Sequence, residues 1–342
     1  MEKDNCLFYL PNGTVENSQP VGKTFFIQEY LDRDFYFSRY FYPGDRILYD
    51  LDARCVDLYD LFQNKIFLSP DKYYQHISMV PVGIISAGLD SDFDLPKELF
   101  EKYFTEGIYA DLVKNRPIEE ELASKISEID KLKYHYAYTA DCQSLISTLQ
   151  ELILATNDSF IGFYKLLCTI PPREGVGEDY FAINSEGRLA FNMLYSLIIQ
   201  VCSILDITTK IVYELEHIKV CSDKYEKLAS KGILYGDKNR LQIDTVGTIF
   251  EKCKTISIFE NLRNEIVHNA TWEMHPKVFF KLQDNNVSER AIYMPDFTEE
   301  GALVAYKNRK RFFAEGKKVN EELPALYCEI LDRLYITLTK LS

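Results

Sequence analysis

The chain contains no Cys-x-x-Cys pair and no Cys/His cluster at zinc-ligand spacing, which removes the zinc-site readings at the outset. Its eight cysteines (Cys6, Cys55, Cys142, Cys168, Cys202, Cys221, Cys253, Cys328) are scattered instead, and several fall at apolar helical positions where they read as small core residues. Histidine is scarce, and His76, His135, His217 and His275 form no pair with ligand spacing, so neither a metal nor a cofactor is expected. Glu174-Gly175-Val176-Gly177 lacks the Gly-Lys-Ser/Thr of a phosphate-binding loop and reads as a turn. Asp90, Asp92 and Asp94 lack the glycine and distal glutamate of a calcium loop. Positive charge is also short: 39 Lys and Arg face 52 Asp and Glu, for a net charge of −13. A chain of that sign repels nucleic acid at long range, which excludes a general DNA-binding protein but leaves room for a small, locally positive site. The opening MEKDNCLFYL lacks the basic and apolar regions of a signal peptide. The most apolar stretch, 189–205, is interrupted by Asn192, Ser196 and Gln200, and so reads as a buried helix rather than a membrane span. The expectation is a cytoplasmic protein with reduced thiols and no membrane partner.

Aromatic residues are abundant: 24 tyrosines and 22 phenylalanines, many in the first 140 residues, indicate a folded chain. At 342 residues two domains are expected, an aromatic-rich mixed α/β domain over 1–116 and a helical one over 117–342. In the first, Lys23-Thr24-Phe25-Phe26-Ile27, Arg46-Ile47-Leu48-Tyr49 and Val80-Pro81-Val82-Gly83-Ile84-Ile85 predict strands, Pro43-Gly44-Asp45 a turn, and 95–104 a short helix. In the second, 117–133 predicts an amphipathic helix through Ile118, Leu122, Ile126 and Ile129. Four longer helices follow, over about 141–168, 188–220, 244–269 and 321–341. In the second of these four, Leu194, Leu197, Val201, Ile204, Thr208, Ile211, Leu215 and Ile218 alternate spacings of three and four, the seam of a bundle helix. In the last, Asn320 is the expected N-cap, with Leu326, Ile330, Leu334 and Leu338 facing inward. An irregular insert is expected over 276–319. The fold class is mainly α, a helical bundle behind a mixed domain.

The third long helix carries Leu262-Arg263-Asn264-Glu265-Ile266-Val267-His268-Asn269. On a helix running from 244, Ile249, Ile256, Phe259, Ile266 and Val267 fall within about 60° of Arg263, which places the guanidinium amid an apolar stripe. Asn264 and His268, four apart, share one flank. A buried guanidinium needs a partner, so Arg263 is either a core arginine paired with a carboxylate or a group facing a ligand or pocket.

This octad resembles the signature helix of HEPN domains, four-helix-type bundles that bear an Arg-x4–6-His motif with a polar residue, often Asn, directly after the Arg. By helix count the resemblance covers roughly 140–342. Ala270 stands where one variant of the motif, linked with nucleotidyltransferase partners, has a tyrosine. The resemblance implies a homodimer with two such helices facing each other, and a metal-independent endoribonuclease of the toxin or defence type. There an RNA 2′-hydroxyl attacks the adjacent phosphate, His268 serves as general base or acid, Arg263 forks onto the phosphate and Asn264 orients either group. A catalytically silent dimer binding nucleotide, RNA or a protein is the alternative, and a purely structural helical protein a third. A protein partner is expected for the N-terminal domain.

One basic cluster stands out, Lys307-Asn308-Arg309-Lys310-Arg311-Phe312-Phe313 with Lys317-Lys318 behind it. Lys307, Arg309, Lys310 and Arg311 are the candidate RNA-backbone contacts, with the two phenylalanines available to stack on a base. The competing reading is a solvated loop leading into the last helix.

Overall fold

The computed structural model describes residues 5–16, 27–31, 40–41, 45–66, 130–173, 178–219, 227–229, 241–273, 275–284 and 286–341. Among these the protein is mainly helical with two small sheets. Strands β1 (Asn5–Tyr9), β2 (Val15–Glu16), β3 (Ile27–Leu31) and β4 (Tyr40–Phe41) form an antiparallel sheet in the order β2-β1-β3-β4. Helices α1 (Asp45–Ile66) and α2 (Asp130–Thr169) follow, then β5 (Asp179–Ala182), α3 (Ser185–Glu216) and α4 (Lys254–Asn269). A second antiparallel sheet, β5-β6-β7, is completed by β6 (Val278–Gln283) and β7 (Asn286–Ala291), and α5 (Val319–Thr339) ends the chain's regular structure.

Several expectations are corrected here. Arg46-Ile47-Leu48-Tyr49 lies within α1, not in a strand, because Leu51, Cys55, Leu58 and Phe62 continue at helical spacing and are fully buried. The insert 276–319 holds the β6–β7 hairpin, which turns at Asp284 with φ +52°. The helix expected from 244 starts only at Lys254. Gly247 takes φ +75° and Asp244 Oδ1 accepts from Val246 N at 3.2 Å, so 244–250 is a string of turns. Asn320 caps nothing; it lies wholly buried inside α5, accepting from Ile292 N at 2.9 Å and donating to Pro11 O at 2.6 Å. The boundary at 116, the elements expected at 80–85 and 95–104, residues 23–26 of the first expected strand, 43–44 of the expected turn and 117–129 of the helix expected over 117–133 lie outside the described residues; Ile27 falls in β3, Asp45 in α1 and 130–133 in α2.

The described chain divides into two compact units. One gathers 1–52, 151–205 and 244–337. Its core is set by the apolar faces of α3 and α5: Leu194, Leu197, Ile198, Val201, Ile204, Ile330, Leu331 and Leu334 are completely buried. By length and composition α3 is the one described helix apolar enough to cross a membrane. The tight turn at 10–14 is fixed in this unit by β7. Arg290, 8% exposed, donates from Nε to Ile170 O at 2.8 Å and from NH1 to Gly13 O at 2.7 Å. The other unit comprises 53–150, 206–243 and 338–342. There the wholly buried Glu214 carboxylate accepts from Tyr138 OH at 2.7 Å and from Ala229 N at 2.5 Å, with the Lys219 ammonium at 3.4 Å. A buried carboxylate so surrounded is satisfied and structural.

Candidate functional site

Both ends of α4 are anchored. Cys253 is its N-cap, in extended conformation, with Sγ accepting from Ile256 N at 3.5 Å. Just upstream, Arg333 of α5 donates to Thr248 O at 3.2 Å and to Glu251 at 3.1 Å, while Ile249 N donates to Thr337 Oγ1 at 3.0 Å. At the other end Ala270 adopts the left-handed conformation, φ +64°, and ends the helix. Trp272 then enters the core, 1% exposed, its Nε1 donating to Tyr293 O at 3.1 Å and its ring 5.3 Å from that of Tyr195. Beside it Thr271 Oγ1 accepts from Tyr195 OH at 2.5 Å, and burial pushes the Tyr195 phenol up to about 12. Burial likewise raises the Glu273 carboxyl above its usual range, although Lys277 lies 2.5 Å away and acts in the opposite sense.

Between these anchors α4 buries Thr255, Ile258, Phe259, Leu262, Glu265 and Ile266. That face centres near Leu262, so Arg263 sits at its margin, roughly 100° round the axis, and is partly exposed. The expected central placement fails because Ile249 is not on the helix and Val267 is 51% exposed. Asn264 and His268 are exposed on a shared flank. Arg263 NH1 donates to Asn264 Oδ1 at 3.2 Å, and among the described residues no carboxylate pairs with the guanidinium.

The buried charge of the octad is Glu265, 7% exposed, and its partner is Arg311. Arg311 donates from Nε at 2.7 Å to a Glu265 carboxylate oxygen, with Nη2 lying 2.6 Å from the same atom, which also accepts from Asn269 Nδ2 at 3.1 Å. Arg311 is therefore the joint between the basic cluster and α4, and its charge is spent there. A lone glutamate on the apolar face of a helix was the signal available in the sequence, since such a group demands a cation.

Lys307, Arg309 and Lys310 remain exposed. Tyr306 and Arg309 exchange backbone hydrogen bonds at 2.9 Å, with Lys307 at φ +48° and Asn308 at φ +65° between them, a two-residue reversal of type I′. Tyr306, 63% exposed, stands at its base with the Lys307 ammonium 5.3 Å from the ring centre. Asp296, buried, receives Ala314 N at 2.7 Å and Glu315 N at 3.1 Å and holds the far side of the loop. Among the described residues no group of His, Cys, Asp and Glu is placed to hold a metal ion. No family model, curated protein or solved structure matches the chain.

Proposed function

We propose that the protein is an endoribonuclease of the HEPN type, acting from its cytoplasmic location as a toxin or defence effector, with Arg263, Asn264 and His268 as its working residues. The observation that carries this reading is the state of Arg263: a guanidinium at the margin of a core helix, held by an amide oxygen and, among the described residues, by no carboxylate. Such a group keeps its full charge for a phosphate, and Asn264 restricts its rotamers without neutralising it. His268, exposed in the last turn of α4, is the one side chain of the three whose chemistry suits a general base or acid.

In the proposed reaction His268 removes the proton of an RNA 2′-hydroxyl, whose oxygen attacks the adjacent phosphorus. The 5′-oxygen leaves and takes up the proton that His268 removed, giving a 2′,3′-cyclic phosphate and a 5′-hydroxyl end. Arg263 offsets the charge that gathers on the non-bridging oxygens. Five residues of helix separate Arg263 from His268 by about 140° of rotation, too far for one helix to present both squarely to one phosphate. Two copies of α4 facing each other across a two-fold axis bring the arginine of one toward the histidine of the other, so the site is proposed to be composite.

The test is incubation of the protein with end-labelled RNA and with the same RNA carrying 2′-deoxy positions. The wild type is expected to cut only where a 2′-hydroxyl is present and to leave cyclic phosphate ends. Arg263→Ala and His268→Ala are expected to lose at least a hundredfold in rate, the scale of losing an acid–base or charge-stabilising group. Undiminished cutting by either variant, or cutting of the 2′-deoxy substrate, overturns the proposal.

A further inference from the structure

We infer that the turn 306–310 is a guide for single-stranded RNA, which lays the strand beside His268 by holding its phosphates on Lys307, Arg309 and Lys310 and one base on Tyr306. This rests on α4 being the RNA site and names the class of strand it takes.

Rigidity is the first ground. Lys307, Asn308 and Arg311 all have positive φ, three non-glycine residues within five. Each such residue is conformationally costly, and the conformation persists only where surrounding contacts fix it. Those contacts are present: the paired hydrogen bonds between Tyr306 and Arg309, the Arg311–Glu265 joint, and the Asp296 clamp on Ala314 and Glu315. A merely solvated loop has no need of three strained residues and two buried carboxylates to hold it.

Position is the second. Glu265 and His268 are three apart on α4 and thus neighbours on its surface. Arg311, the residue directly after the turn, is paired with Glu265, so the turn is tied to α4 three residues before His268.

Chemistry is the third. In a chain of net charge −13, the turn presents three exposed cations within four residues, beside a tyrosine 63% exposed. Phosphate contacts alone would serve a duplex equally well. An exposed ring gains nothing from a base already stacked within a helix, and a two-residue reversal is too short to bridge a duplex groove. An unpaired strand can offer both phosphate and free base face. Tyr306 is the more exposed ring, 63% against 37% for Phe313, and is the proposed stacking partner.

The test uses the full chain carrying His268→Ala, to separate binding from cutting. Affinity is read by fluorescence anisotropy for a labelled single-stranded RNA, and for the same sequence as a duplex. Neutralising the turn with Lys307→Gln, Arg309→Gln and Lys310→Gln is expected to reduce the slope of log affinity against log salt by about 2, at roughly 0.7 per phosphate contact. Tyr306→Ala is expected to weaken the single strand about tenfold and the duplex little. A control with Arg188, Lys252 and Lys340 changed to Gln carries the same net charge and is expected to keep the original slope. An unchanged slope in the turn variant, an equal fall in the control, or preference for the duplex overturns the inference. Single-strand binding through the turn without cutting by the wild type removes the ribonuclease and leaves the guide. Cutting by a wild type whose turn variants bind and cut normally does the reverse.

Discussion

At the scale of the residue, the octad on α4 holds two charges with opposite fates. Arg263 is marginal and, among the described residues, has no carboxylate partner, whereas Glu265 is buried and pinned by Arg311. Removing Arg311 leaves the Glu265 carboxylate buried and unpaired, which is worse than losing both. Arg311→Met is therefore expected to lower stability by about 2 kcal/mol, and Glu265→Gln by a similar amount. The double variant should recover part of the loss. Chemical denaturation followed by the fluorescence of Trp272, the chain's single tryptophan, checks this. Trp272 is fully buried just beyond α4, so its signal reports on the segment concerned. Strictly additive losses in the double variant would mean that the two side chains do not act as a pair.

At the scale of the element, long apolar periodicity was legible and short irregular structure was not. The seam through Leu194, Leu197, Val201, Ile204, Thr208, Ile211 and Leu215 is buried, because a helix that repeats three and four over so many turns has one face to hide, whereas Ile218, its last expected member, lies past the end of α3 and is half-buried. The same logic failed across 244–250. Apolar residues there matched the helical period, but Gly247 and the hydrogen-bonding side chains of Asp244 and Thr248 favour turns. That shift of the helix start also misplaced Arg263, since a stripe drawn through Ile249 points the wrong way. Long-range pairs were illegible in principle: nothing near Glu265 announces a partner 46 residues on, at Arg311. The turn at 10–14 is a further case. Gly13, at φ +77°, lies so close to β7 that an added Cβ would stand 2.4 Å from Arg290 O and 2.6 Å from its Cβ. Strain and overlap with backbone act together, so Gly13→Ala is expected to cost about 2 kcal/mol or more. Thermal unfolding of the variant measures it. An unchanged midpoint would show that the turn is not locked against β7.

At the scale of the whole molecule, the proposed chemistry needs two chains, because about 140° of helix separates Arg263 from His268. The first consequence is mass. Sedimentation equilibrium is expected to return twice the chain mass of 39.8 kDa at working concentration. The second consequence is complementation, which separates a composite site from two sites each complete in one chain. A dimer of one Arg263→Ala chain and one His268→Ala chain contains, on the composite arrangement, one site lacking both groups and one site with both intact. With each site complete in its own chain, neither site of that dimer retains both groups. Two inactive variants mixed at equal concentration and allowed to exchange should therefore regain activity on the composite arrangement alone. With random pairing half the dimers are mixed and half their sites are whole, so about a quarter of wild-type cutting is expected. Recovery at that level requires that arginine and histidine come from different copies. A mixture as inactive as its components, despite proven exchange, returns the site to a single chain and withdraws the composite arrangement.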